Sequence, residues 1–230
     1  LYRRILIEVT VLSHTEENYI KCIFSLSETK DGNISTNAIA DRLGTTAASV
    51  TDMIKRLAGK SIVHYEKYYG VSLTEAGQQV AVNLIRRHRL WETFLVDKLG
   101  FHWDEVHDMA EELEHVASDL LTERLDAFLG KPRFDPHGDP IPDSKGNISY
   151  HEDVTLDKVD AGKKGIIVGV TDHTPAFLQF LEKHNLVLHT PVFIESVEDY
   201  DNSRNILIAG KETMAVSQKV AGNLLVRLVH

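Results

Sequence analysis

Apolar positions recur at helical spacing through the first half of the chain and give way to short β-rich runs in the last third. Over 13–27, Tyr19, Ile20, Ile23, Phe24 and Leu26 predict an amphipathic helix. Lys30-Asp31-Gly32-Asn33 reads as a turn. Ser35 is placed to cap a short helix over 36–43, with Ile39, Ala40 and Leu43 inward and Gly44 ending it. Thr46 can cap a second helix over 47–58, with Val50, Ile54 and Leu57 inward. Two short helices joined by Gly44-Thr45-Thr46 form a helix-turn-helix pattern. Strands over 61–66 and 71–73, around a tight loop at 67–70, then predict a wing. A long helix is expected over 74–99, stopped by Gly100, followed by one continuous helix over 103–129 that ends near Gly130-Lys131-Pro132. The stretch 134–142 is too rich in Pro and Gly for regular structure. Beyond a linker-like segment, runs at 164–170, 190–197, 205–209 and 224–229, with a short helix at 175–184, predict a small β-barrel.

Composition narrows the class. With 230 residues, 43% of them hydrophobic, the chain can build two or three small domains. It has no apolar run long enough to span a membrane, so no membrane role is expected. The opening Leu-Tyr-Arg-Arg-Ile-Leu-Ile-Glu-Val-Thr-Val is basic and then apolar. Glu8 interrupts it and no small-residue cleavage site follows, so it reads as an extra strand or arm rather than a signal peptide. The single cysteine, Cys22, excludes an internal disulfide framework, suits core packing and fits a reducing, cytoplasmic setting. The net charge of −9 is uneven: residues 1–100 hold 13 Lys/Arg against 11 Asp/Glu, whereas residues 101–150 hold 4 against 12. The first part alone has a positive balance, and one locally basic module is enough for nucleic-acid binding by an acidic chain.

The carboxylates and histidines of the middle region are patterned. On the predicted 103–129 helix, His107, Glu111, Glu114 and His115 fall within a single arc of about a quarter turn at 100° per residue, at the edge of the apolar face. On the preceding helix, His88 and Glu92 are spaced i, i+4 in the middle of an apolar face formed by Ala81, Leu84, Ile85, Trp91, Leu95 and Leu99. A buried Glu without a partner is costly, so this is either a hydrogen-bonded core pair or part of a metal site. Six ligand-type side chains on two consecutive helices that a short loop makes antiparallel favour one or two metal sites. Asp135 and His137, in the Pro-rich loop, are within reach of the same region. Imidazole and carboxylate donors without thiolates favour Mn²⁺, Fe²⁺ or Zn²⁺ over softer ions. Glu182, His184 and His189 read as solvated.

In the helix-turn-helix, Thr46, Ala48, Ser49, Thr51 and Asp52 occupy the exposed start of the second helix, where base edges are read, with Thr36 opening the first. Lys55, Arg56, Lys60 and Lys67 are candidate phosphate contacts. Tyr65, Tyr68 and Tyr69 lie in the wing. The plainer reading is a winged helix used for protein contacts; a metal-sensing protein-interaction module without DNA affinity requires the 47–58 helix to be buried.

In combination, Thr15-Glu-Glu-Asn-Tyr19, Ile39-Ala-Asp-Arg-Leu43, Ser49-Val-Thr51, Leu73-Thr-Glu-Ala-Gly77, Arg87-His-Arg-Leu-Trp-Glu92, Glu111-Glu-Leu-Glu-His115 and Asp135-Pro-His-Gly-Asp-Pro-Ile-Pro142 resemble the diphtheria-toxin-repressor family of metal-dependent transcriptional regulators. The resemblance covers nearly the whole chain from Ser13. It implies an α+β multidomain fold: an N-terminal extension (1–12), a winged helix-turn-helix DNA-binding domain (13–75), a helical dimerisation and metal-binding domain (76–142), a linker (143–153) and a C-terminal SH3-like β-barrel (154–230). It also implies a homodimer, formed through the helical domain, that binds operator DNA when loaded with Mn²⁺ or Fe²⁺, with one or two ions per subunit. Carried over by position, the regulatory site uses Glu111, Glu114 and His115. Its remaining ligand comes from the N-terminal helix, where the family has Met or Asp and this chain has Asn18, so Asn18 or neighbouring Glu17 is expected to complete it. Glu111 stands where iron-branch members have Cys, and this harder ligand resembles the manganese branch. The second site draws on His88, Glu92 and His107, with Asp135 and His137, and Asp172 or His173 is near the position of a further ligand from the SH3-like domain. The expected function is a metal-dependent repressor of metal-uptake genes. The alternative from another class is a di-metal enzyme with an appended winged helix, since paired His/Glu helices also build oxidase and hydrolase sites. No nucleophile or oxyanion motif is visible to support it.

Overall fold

A computed structural model describes residues 12–29, 32–149 and 152–229. The arm expected at the start of the chain falls on residues 1–11, outside the described residues, as do Lys30 and Asp31 of the predicted turn. The structure forms two compact units, and the division falls inside the long helix, between Arg86 and Arg87.

In the first unit, helix α1 (His14–Thr29) precedes α2 (Thr36–Leu43) and α3 (Ala47–Gly59), then strands β1 (Val63–Glu66) and β2 (Gly70–Leu73) and the start of α4 (Glu75–Leu99). The capping expectations hold: the Ser35 hydroxyl accepts from the Ala38 N–H, and Thr46 Oγ1 accepts from the Ser49 N–H. Gly44 closes α2 in the left-handed conformation at φ 61°. The inward faces of all three helices share one core with the wing: Ile20, Ile23, Ile39, Val50, Ile54, Leu57, Val63 and Val71 are buried together. Ile34 adds a backbone bridge to Val71, with N–H···O distances of 2.8 and 2.9 Å. Gly70, at φ +101°, has the Ile34 carbonyl 2.7 Å from where a Cβ would sit, so this crossing requires glycine. Thr74 Oγ1 caps α4 through the Gly77 N–H and donates to the Ser61 and Ile62 carbonyls, fixing where the long helix starts.

The second unit holds the rest of α4, helices α5 (Val106–Leu113) and α6 (Asp119–Phe128), and an antiparallel six-stranded sheet. Its strands are β3 (Val154–Thr155), β4 (Lys164–Val170), β5 (Pro191–Val197), β6 (Arg204–Ile208), β7 (Glu212–Val216) and β8 (Leu224–Val229), in the order β3-β8-β4-β5-β6-β7. Helices α7 (Pro175–Lys183) and α8 (Gln218–Ala221) lie in its connections. Leu156, Ile167, Leu178, Leu181, Ile194, Ile206 and Val226 fill its core. Register shifts between Ile167 and Gly169 and between Ile194 and Ser196 interrupt the pairing of β4 with β8 and of β5 with β6. The pattern along the chain did not reveal β3, β7 or α8.

One expectation fails here. The predicted 103–129 helix is two helices, because α5 ends at Leu113 and α6 starts at Asp119. Ser118 caps α6, its hydroxyl accepting from the Leu121 N–H, while its own N–H is taken by the Val116 carbonyl. The Glu114 carbonyl, which a continuous helix would bond to Ser118, accepts from Arg87 Nε at 2.5 Å instead. The break therefore falls at the end of the ligand run: His107 and Glu111 keep their i, i+4 relation on α5, Glu114 caps its C-terminus with its N–H still bonded to the Ala110 carbonyl, and His115 lies just beyond.

Candidate metal centre and nucleic-acid interface

Glu92 is the hub of the candidate centre. Helix α4 places it one turn after His88, on the buried face the sequence pattern indicated, and it is 2% exposed. Its Oε1 lies 3.1 Å from His88 Nε2, 3.4 Å from His107 Nδ1 and 3.7 Å from His137 Nδ1. Burial pushes the Glu92 carboxyl up, but the three surrounding imidazoles outweigh that and hold it well below the usual carboxylate range. Two donor triads share this carboxylate: His88, Glu92 and His107, and Glu92, Asp135 and His137. In each, one ligand atom per residue lies within 4.8 Å of the others. The resemblance pools these five residues in one site, and the fold gathers them as two triads around a common Glu.

The Pro-rich loop supplies Asp135 and His137 because it is pinned on both sides. Arg89 Nη1 donates to the Pro140 carbonyl, and the same guanidinium lies 3.7 Å from Asp135 and 3.5 Å from Asp139. On the other side the Val170 N–H donates to the His137 carbonyl at 3.0 Å. Gly138, at φ +91°, allows this: a Cβ there would overlap the Val168 carbonyl. Asp135 Oδ1 accepts from the His137 and Asp139 N–H groups, which leaves Oδ2 pointing inward.

The donor chemistry fits a divalent cation. Asp135 Oδ2, His137 Nδ1 and His173 Nε2 are buried with no hydrogen-bond partner, an arrangement costly for a protein interior and suited to ligation. Burial, Asp139 and Glu92 raise the Asp135 carboxyl to about 8. Burial pushes the His137 imidazole down, but Glu92 and Asp135 outweigh it and bring the ring to about 9.

Other sequence-chosen positions fall differently. Glu114 is buried, and its Oε2 lies 2.6 Å from His88 Nδ1, so one imidazole faces both Glu114 and Glu92. Glu111 is exposed, 3.6 Å from His107 Nε2. Among the described residues no close donor group contains Glu111, Glu114 and His115 together. Glu17 and Asn18 belong to α1 in the first unit, Glu17 buried and Asn18 exposed. Asp172 Oδ1 accepts from the Thr174 N–H, and it is His173 that turns toward the centre, stacking on His137 at 4.8 Å with Nε2 3.8 Å from Asp139. A readable signal was there: Asp172 before Thr174-Pro175 is a helix-start pattern that occupies the Asp side chain.

In the winged helix, Thr46, Ala48, Ser49, Asp52 and Lys55 are exposed, which removes the condition on which the reading as an interaction module without DNA affinity depended. Thr51 is half-buried and its hydroxyl bonds back to the Ala47 carbonyl. Asp52 and Lys55 pair at 3.7 Å. Thr36 lines a groove with Asn33, Ser35, Tyr65, Tyr68 and Tyr69. Tyr68 is 91% exposed at the wing tip, with Lys67 Nζ 5.0 Å from its ring. Lys60 is turned inward, 2.7 Å from Glu16.

Three profiles match consecutive parts of the chain: the iron-dependent repressor N-terminal DNA-binding domain over 11–71, the iron-dependent repressor metal-binding and dimerisation domain over 74–143, and the FeoA domain over 154–228. A solved manganese-dependent transcriptional repressor in complex with manganese superposes with a TM-score of 0.84 at 33% identity, covering 93% of this chain and 100% of that one. The chain belongs to the iron-dependent repressor family, which includes the diphtheria toxin repressors. Among curated relatives, the iron-dependent repressor IdeR of Mycobacterium bovis is 36% identical over 132 residues, 57% of this chain and 56% of the relative. The diphtheria toxin repressor of Corynebacterium glutamicum is 33% identical over 156 residues, 67% of this chain and 66% of the relative. The matched stretches thus span a little over half to two thirds of these curated proteins. The family is one of transcriptional repressors, and nothing among these relatives supports the enzyme reading of the paired His/Glu helices.

Proposed function

We propose that the chain is a Mn²⁺- or Fe²⁺-dependent DNA-binding regulator that represses metal-uptake genes as a cytoplasmic homodimer. One observation carries the reading: a winged helix whose recognition helix is exposed shares a chain with two imidazole–carboxylate triads built on one buried glutamate. No helix among the described residues is long and apolar enough to cross a membrane. A bound divalent cation supplies positive charge and a fixed coordination shell, which Glu92, Asp135, His137, His88 and His107 would fill, with Glu111, Glu114 and His115 as the proposed regulatory ligands.

The chain's own residues do the rest. Ala48 and Ser49 present short side chains to base edges in the major groove, and Lys55 and Lys67 neutralise phosphates. In a dimer the two recognition helices reach successive major grooves, about 34 Å apart. His88 holds Glu114 at 2.6 Å, so recruiting Glu114 to the regulatory set requires it to exchange this partner. That exchange links the two ligand sets. A differential affinity of about 1–3 kcal/mol between the DNA-competent and incompetent arrangements is sufficient coupling. Glu111→Ala tests the reading: metal-dependent DNA binding should disappear while the fold, read by circular dichroism, persists. Intact metal-dependent binding in that variant removes Glu111 from the regulatory site.

A further inference from the structure

A second kind of donor cluster lies outside the Glu92 centre. His102, Asp104 and Glu182 each bring one ligand atom within 4.8 Å of the others. His102 and Asp104 flank Trp103 in the turn between α4 and α5, whereas Glu182 sits on α7 of the sheet domain. The cluster therefore bridges two structural layers of the second unit. His102 Nδ1 and Glu182 Oε1 are 3.6 Å apart. Asp104 Oδ2 accepts from Gln179 Nε2 at 2.7 Å, and Gln179 is one helical turn before Glu182, so the amide holds the Asp104 carboxylate beside Glu182.

The turn that presents these donors is fixed in place. Trp103 packs against the sheet-domain core and stacks on His137, with ring centroids 6.0 Å apart and planes 18° from parallel. The Trp103 carbonyl accepts from His137 Nε2 at 2.8 Å, and the His102 N–H donates to Glu105 Oε2 at 3.0 Å. The Trp103–His137 contact and the local bond from His102 to Glu105 hold the turn, which is the preorganisation that a small cation needs. One imidazole and two carboxylates, with no sulfur, select borderline first-row divalent ions over Cu⁺. The side chains of His102 and Glu182 are 67% and 48% exposed, so water completes the shell and binding is weaker than at a buried centre.

We propose that His102, Asp104 and Glu182, with Gln179 beside them, form an additional divalent-cation site that clamps the α4–α5 turn to α7 of the sheet domain. The turn carrying the outer donors also carries the carbonyl that orients His137. Occupancy of the outer site therefore stiffens the scaffold of the inner one without sharing any ligand with it.

Equilibrium dialysis of the full chain against Zn²⁺, counting bound equivalents, tests this. The wild type should bind one weak equivalent that Glu182→Gln and His102→Ala each remove, or weaken at least about tenfold, since even an outer-shell partner is worth that much. Asp104→Asn should act in the same way, and the tighter equivalents should remain in all three variants. Unchanged stoichiometry in these variants overturns the proposal. So does loss of the same equivalent on His189→Ala, which would mark it as adventitious surface binding.

Discussion

Glu92 and His137 set the pH behaviour of the centre. The His137 imidazole is raised to about 9 from its ordinary 6.5: burial lowers it, but the neighbouring carboxylates prevail. In EDTA-treated protein this raised value contributes stability that is fully present below about 6.5 and lost as pH rises through about 9. Ligation needs the neutral ring and an ionised Asp135, whose carboxyl is also raised, to about 8. Metal binding should therefore release protons, and its affinity should increase with pH from about 6.5 toward about 9. Calorimetric titration with Mn²⁺ in buffers of different ionisation enthalpy reads the released protons directly, and a proton count of zero would contradict the assignment of these two residues. At the same scale, His88→Ala removes the 2.6 Å contact to buried Glu114 and the 3.1 Å contact to Glu92. It should cost roughly 1–3 kcal/mol in denaturant unfolding of the EDTA-treated protein. The pair His88 and Glu92 was legible in the sequence, because a Glu inside an apolar helical face demands a partner. That Glu92 would stand between two triads was not legible, since only the docking of the 135–140 loop brings Asp135 and His137 to it. Position alone left Asp172 and His173 as alternatives, and the turn bond from Thr174 to Asp172 decides which of the two side chains faces in.

Helices and loops carry the next set of consequences. Glu114 ends α5, and the break after it leaves its carbonyl to Arg87 while its carboxylate meets His88. Amphipathic periodicity continues through 114–118, so spacing alone reads as one helix. Ser118 was the overlooked signal, and Ser118→Ala should destabilise the protein by about 1 kcal/mol through removal of the cap. On α6, Leu120, Leu121 and Phe128 are 66%, 40% and 64% exposed and share an arc of about 100°. An apolar strip of this kind, within the stretch matched by a dimerisation domain, fits the proposed subunit contact. Leu120→Asp should shift the protein from dimer toward monomer in sedimentation velocity, and an unaltered dimer would place the contact elsewhere. The loop that carries His137 depends on Gly138, where a Cβ would overlap the Val168 carbonyl. Gly138→Ala should therefore weaken metal binding although residue 138 ligates nothing. The winged helix was the most legible part of the fold, because caps, turn glycines and inward faces agree there. The sheet domain was less so: β3 is two residues long, and β7 alternates too weakly to stand out.

At the scale of the whole molecule, the two units assign different chemistry to different parts of one acidic chain. In the proposed function, exposed cations on the winged helix would meet phosphate, and the carboxylates and imidazoles of the second unit would meet metal. Lys55→Ala or Lys67→Ala should weaken DNA binding uniformly across sequences and lower the salt slope by about one for each phosphate left without its lysine. Metal loading governs DNA affinity in the proposed function. The most direct measurement is anaerobic fluorescence anisotropy of labelled promoter DNA titrated with the full chain in Mn²⁺, in Fe²⁺ and in EDTA at fixed ionic strength. Binding should be at least about tenfold tighter with metal, the fold-change of about 1.4 kcal/mol of coupling, and should reverse when EDTA is added. Equal affinity in all three conditions would contradict it.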